Sequence, residues 1–152
     1  MNAPSLAVAL LLLAGCSNET EGPSGDSPCD GSSVAPMTYV VGLEARGGTG
    51  ALGFTLEDAL PAPPGRGTNR WEVQVRTSAG EPATGASITK LRPWMPDHGH
   101  GSATKPTTTM GPEGLATIDA LELVMPGVWT VTVAAEHEGV ADEATFAFCT
   151  DG

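Results

Sequence analysis

From Trp71 onward the chain alternates as a half-buried strand does. Trp71, Val73 and Val75 are separated by Glu72, Gln74 and Arg76, a period-two pattern that puts apolar side chains on one face and polar ones on the other. Ser78-Ala79-Gly80-Glu81-Pro82 supplies a turn, and residues 86–91, carrying Ile88 and Leu91, make the next strand. A threonine-rich edge segment, residues 104–110, ends at the turn Gly111-Pro112-Glu113-Gly114. Residues 115–123, 128–135 and 141–148 complete the set, with His137-Glu138-Gly139 as the tip between the last two. Ahead of Trp71 the pattern is looser. Residues 37–43 form a first strand candidate, a glycine-rich break follows at 47–50, and Phe54-Thr55-Leu56 forms a second. Pro61, Pro63 and Pro64 then mark a surface connection, because proline cannot donate to a ladder. Residues 56–60 are compatible with a single helical turn.

Seven or so short strands, closely spaced turns and no convincing helix predict an all-β fold, an immunoglobulin-like antiparallel β-sandwich. Its expected core contains Trp71, Val73, Val75, Ile88, Leu91, Leu121, Leu123, Val131, Val133, Phe146 and Phe148.

The N-terminus carries a different signal. An apolar run over residues 6–14 ends in Leu13-Ala14-Gly15-Cys16, too short to span a bilayer comfortably but matched to the apolar region of a secretory signal. Small residues followed at once by cysteine resemble a bacterial lipobox. That resemblance implies a lipoprotein signal peptide over residues 1–15, cleavage before Cys16, and lipid on its thiol and new amino group. The first five residues lack Lys and Arg, a departure from the usual signal. Ser17 after the cysteine implies outer-membrane sorting if the cell is Gram-negative. Residues 16–33, rich in Ser, Gly, Pro, Glu and Asp, then read as a lipidated flexible tether, and residues 34–152 as the folded domain. The expected location is the bacterial cell envelope, with the membrane as a partner through lipid and the domain outside the cytoplasm.

Cysteine usage fits that compartment. With Cys16 lipidated, Cys29 and Cys149 remain as an even pair in an exported chain, which predicts a disulfide closing the domain. The alternative, metal thiolates, would need histidines at ligand spacing, and neither cysteine has one. The balance of 7 basic against 18 acidic residues gives a net charge of -11 without any basic run. That excludes nucleic acid as a partner and gives only a diffuse attraction for cations.

The densest candidate chemistry is Met95-Pro96-Asp97-His98-Gly99-His100-Gly101, which holds two of the three histidines. Met125-Pro126-Gly127 repeats its opening dipeptide. Thioether and imidazole are the soft and borderline donors that suit copper, above all Cu(I). In an immunoglobulin-like sandwich the third and sixth strands pair antiparallel. Residues 86–91 and 128–135 hold those places, which brings Met95, His98, His100 and Met125 to one pole and leaves Met110 at the other. Asp97 is a candidate hard ligand or an acceptor that fixes an imidazole N–H. The competing reading makes both methionines gap fillers and both histidines loop caps. Trp71, Trp94 and Trp129 read as core and rim packing. Ser78, Ser87 and Ser102 lack a nucleophile-elbow context, and no metalloprotease, P-loop or dinucleotide fingerprint is present, so no enzymatic activity is expected.

The ordered set Trp71-Glu72-Val73-Gln74-Val75, residues 95–101, and Met125-Pro126-Gly127-Val128-Trp129 with Thr130-Val131-Thr132-Val133 resembles the YtkA-like domain, related to FixH-type proteins, over about residues 69–148. The resemblance implies an extracytoplasmic β-sandwich. FixH-type relatives are associated with copper supply to cytochrome oxidase, which implies a metal donor or acceptor protein as partner. Those relatives carry a transmembrane anchor, whereas this chain points to lipid. Two functions therefore stand side by side: Cu(I) buffering or delivery through the Met/His loop, and a non-catalytic structural or protein-interaction module without a metal site.

Overall fold

The computed structural model describes residues 26–151. The leader, Cys16 and residues 17–25 of the tether lie outside the described residues. Nine strands follow in order: β1 (Leu43–Arg46), β2 (Leu52–Leu60), β3 (Gly67–Thr77), β4 (Ser87–Met95), β5 (His100–Gly101), β6 (Thr107–Met110), β7 (Leu115–Leu123), β8 (Gly127–His137) and β9 (Val140–Thr150). They form two antiparallel sheets, β1-β2-β3-β7-β6 and β5-β4-β8-β9. The fold is an all-β sandwich.

The alternation in β3 works as its pattern requires. Trp71, Val73 and Val75 are fully buried, and Trp71 meets Phe146 and Phe148 of the opposite sheet edge-on, with ring centres 6.0 and 5.5 Å apart. Edge-to-face contact is the arrangement favoured by the ring quadrupole. Leu121, Leu123, Val131 and Val133 are buried as expected, joined by Leu52, Phe54, Leu56, Ile118 and Trp129. Ile88 and Leu91 are only half-buried. β4 is nearly an edge strand, covered by β5 at two residues, and a bulge between Ile88 and Lys90 shifts its register against β8.

Three local expectations are corrected. Residues 56–60 form no helical turn; they continue β2, with a bulge between Leu56 and Asp58. The first strand is Leu43–Arg46 rather than residues 37–43. The apolar pattern of 37–43 is met by packing, not by a ladder: Met37 and Tyr39 press against the core while Val40 and Val41 are exposed. Tyr39 meets Phe148 edge-on at 6.2 Å, and the Met37 N–H donates to Ala147 O at 2.7 Å. Finally, residues 27–33 belong to the domain, although their composition is that of a tether. Cys29 is bridged to Cys149, with Cα atoms 5.8 Å apart, and Ser33 N–H donates to Asp97 at 2.9 Å.

Pairing of β4 with β8, from Ser87↔Glu136 to Trp94↔Thr130, sets the poles of the sandwich. The end of β4, β5, the β7–β8 connection and the end of β9 share one pole. Met110 pairs with Ala116 at the opposite one, as its place in the sequence predicted.

At that opposite pole Asp142 organises the β1–β2 turn. Its buried carboxylate accepts the N–H groups of Thr49 (3.0 Å), Ala51 (2.9 Å) and Leu52 (3.2 Å), and of Glu143 (2.9 Å). A Cβ at Gly47 would overlap that carboxylate. Burial alone would raise the Asp142 pKa, but these hydrogen bonds outweigh it and hold the group well below the usual carboxylate range. A folded pKa below the unfolded one gives stability that is present above about pH 4 and is lost as pH falls through the folded value. Asp142→Asn is therefore expected to cost about 2–3 kcal/mol at neutral pH. It should also flatten the fall in melting temperature below about pH 4. Thermal melts across pH check both; an unchanged acid limb in the variant would contradict the clamp.

Candidate metal centre

β4 runs one residue past its pairing with β8 and ends on Met95, which is therefore the last residue of a strand and not part of the loop. Pro93 does not stop the strand: it stands opposite Val131 of β8, but its carbonyl faces Gly101 on the other side, so the missing N–H, which would point the same way, leaves no β8 ladder bond unmade. Residues 96–99 then turn back, closed by the Gly99 N–H donating to Met95 O at 2.9 Å, with Gly99 at a φ of +67° that favours glycine. The returning β5 places His100 directly opposite Met95 and Gly101 opposite Trp94. Opposed residues of an antiparallel pair project to the same face. Met95 points inward and is 1% exposed, so His100 lies above it at the rim of the core.

His98, from the turn, stands next to His100. The His98 and His100 rings stand 5.9 Å apart at 69°, and His100 meets the buried Trp129 ring at 6.2 Å. His100 Nδ1 lies 3.1 Å from Gly101 O. When Nδ1 carries the proton and donates there, Nε2 is left as the free lone pair, the usual way a second contact orients a ligand imidazole. Two imidazoles sharing a metal at about 2 Å from each nitrogen have ring centres roughly 5–6 Å apart, so the observed spacing fits a common ion.

The methionines differ. Met125 is 37% exposed in the β7–β8 connection, and its carbonyl accepts the Trp129 indole N–H (2.9 Å) and the Thr150 hydroxyl (2.8 Å). That double acceptance fixes the β7–β8 connection against β8 and β9. Met95 fills the pole from within, and a Cβ on Gly127, whose φ is +127°, would come within 2.8 Å of its terminal methyl. The glycine of Met125-Pro126-Gly127 thus makes room for the other methionine.

Asp97, exposed beside His98, is turned to the N-terminal arm. Its carboxylate accepts the Ser32 hydroxyl and the Ser33 N–H, which lower its pKa to about 2, with a smaller contribution from His98. Among the described residues, the one cluster of three His, Cys, Asp or Glu side chains at mutual ligand distance is Cys29, Cys149 and Asp151. Its sulfurs are joined in the disulfide, which removes them as thiolate ligands.

Sequence reasoning missed the Asp97 clamp and the place of Trp129 between Met125 and His100. The spacing of Met125 and Trp129 in one turn of chain was the available signal for the second. The first had none, since Ser32 and Ser33 read as tether.

The YtkA-like family model matches residues 52–134, more than half of the chain. The chain belongs to the YtkA-like family. No curated protein and no solved structure matches it. The YtkA-like segment contains both histidines of the loop and both methionines, whereas β9, the N-terminal arm and the two bridged cysteines lie outside it.

Proposed function

We propose that this YtkA-like domain binds Cu(I) outside the cytoplasm, held to the cell envelope by lipid on Cys16, and buffers the metal or passes it to another protein. The reading rests above all on the His98–His100 pair, spaced for one ion, with the Nδ1 of His100 anchored on Gly101 O. His98 and His100 would take the ion from solvent, Met125 would flank it, and Met95 would lie on its inner side. Two thioethers with two imidazoles form a donor set that favours Cu(I) over harder ions.

A second reading is a non-catalytic structural or interaction module of the envelope. It is favoured by one observation: Met95 is fully packed against Gly127, as a gap-filling methionine would be. The two readings separate in X-ray absorption at the copper edge on the chain loaded with one Cu(I), the disulfide left intact. The metal reading predicts nitrogen scatterers at about 2.0 Å and a sulfur shell at about 2.3 Å. Failure to retain one ion, or a shell without sulfur, would contradict the four-residue site.

A further inference from the structure

One seam of the sandwich is stitched and the other is open. Where β9 faces β1, the Met37 N–H donates to Ala147 O, the Gly48 N–H donates to Glu143 O at 3.0 Å, and Asp142 grips the turn before β2. Where β4 faces β6, no backbone hydrogen bond crosses among the described residues. A groove of about 520 Å³ runs there, walled by residues 88–94 on one side and by Gly101, Ser102, Thr108 and residues 104–106 on the other. β5 covers β4 only at Trp94 and Met95, so the rest of that strand is a free edge.

The chemistry of the groove is opposite to that of the molecule. None of the 18 acidic residues lines it, whereas Lys90, Arg92 and Lys105, three of the 7 basic ones, do. Lys90 reaches Glu143 at 2.8 Å. Arg92 and Lys105 have no carboxylate partner among the described residues. The Arg92 guanidinium lies 4.1 Å above the Trp94 ring. A guanidinium held over an aromatic ring by cation–π attraction keeps N–H donors for a carboxylate, which it can receive bidentately. Ile88 and Leu91, half-buried, provide an apolar floor. The backbone contributes too. The Pro93 carbonyl faces Gly101 across the open side, and backbone groups two residues apart on a strand point the same way, so Leu91 presents its N–H and C=O to an added strand.

We propose that this groove docks an extended acidic segment of a partner protein, laid along the free edge of β4 with carboxylates on Arg92 and Lys105. Other occupants fit less well. A second copy pairing β4 with β4 would set Lys90 and Arg92 against their own equivalents. Nucleic acid or an anionic bilayer would bring a large negative surface against a chain of net charge -11. A short segment with a few carboxylates meets only the local positive field.

The test uses the full chain with its disulfide intact, labelled with nitrogen-15. It is titrated with a synthetic heptapeptide alternating glutamate and valine, and with the same peptide carrying lysine for glutamate. Saturable amide shifts are expected at Leu91, Arg92 and Lys105 with the glutamate peptide alone. Affinity should drop about tenfold or more in Arg92→Glu/Lys105→Glu, which should in turn favour the lysine peptide. Lys105→Glu alone, on the loop wall away from the sheet, should weaken binding in the same direction. Equal binding of the two peptides, no saturable shift at millimolar peptide, or shifts confined to other surfaces would overturn the proposal. So would groove shifts produced without peptide by Glu19→Gln/Glu21→Gln, which would make the chain's own N-terminal segment the occupant. Phosphatidylglycerol vesicles that bind with the same dependence on Arg92 and Lys105, in place of the peptide, would make the groove a lipid site.

Discussion

Replacing Cys29 and Cys149 together with serine is expected to lower the unfolding free energy by about 4–5 kcal/mol. The bridge joins residues 120 apart, and restricting so long a loop in the unfolded chain removes much of its conformational entropy. A loss of that size is a large part of what a domain of this length usually has to spare. The effect reaches beyond the cross-link. Cys29 anchors the arm whose Ser32 and Ser33 hold Asp97, and Asp97 adjoins His98 in the turn between β4 and β5. Freeing the arm should therefore loosen the histidine loop while β3 and β7 stay paired. Urea denaturation measures the first effect, and amide hydrogen exchange at Gly99 and His100 the second. A loss below about 1 kcal/mol, with unchanged exchange in the loop, would mean that the Met37 and Tyr39 contacts hold the arm unaided.

Much of the scaffold could be read from residue order because its signals are local. Trp71, Val73 and Val75 alternate with polar neighbours, and one strand register follows from that alone. The pairing of the strand after Ala86 with the strand after Val128 followed from topology, and with it the shared pole of Met95 and Met125. What stayed hidden depends on contacts that no local pattern encodes. Arg92-Pro93-Trp94 looks like the start of a loop, yet an edge strand accepts proline on its open side, so Met95 is carried to the end of β4 and into the core. Ser32 and Ser33 have the composition of a linker, and their partner is Asp97, more than sixty residues away. The approach of the His98 and His100 rings, and the carbonyl that orients one of them, depend on a turn that the Met/His spacing suggested but did not define. The resemblance to the YtkA-like domain identified the family from its motifs, of which residues 95–101 and Met125-Pro126-Gly127 share one pole while Trp71 to Val75 lie in the facing sheet.

The largest functional effect should come from the histidines. A Cu(I) ion held by so few ligands loses a major share of its binding with any one of them, so His100→Ala or His98→Ala is expected to weaken affinity by about 100-fold or more. Neither change should cost much stability, since His98 is exposed and His100 only half-buried. Met125→Ala should weaken binding by about tenfold, close to the smallest loss expected of a donor. Met95 needs a different substitution. Alanine there would leave a core cavity costing about 2–5 kcal/mol, whereas Met95→Leu nearly keeps the volume and removes the sulfur. The deciding measurement is an anaerobic titration of the disulfide-intact chain with Cu(I) against a competing chelator, run on the wild type, His98→Ala, His100→Ala and Met95→Leu. The metal site predicts one equivalent bound tightly by the wild type, loss of binding in both histidine variants at nearly unchanged melting temperature, and weaker binding in Met95→Leu. No stoichiometric uptake by the wild type, together with a clear drop in melting temperature in the histidine variants, would contradict it and leave the Met/His loop a structural element.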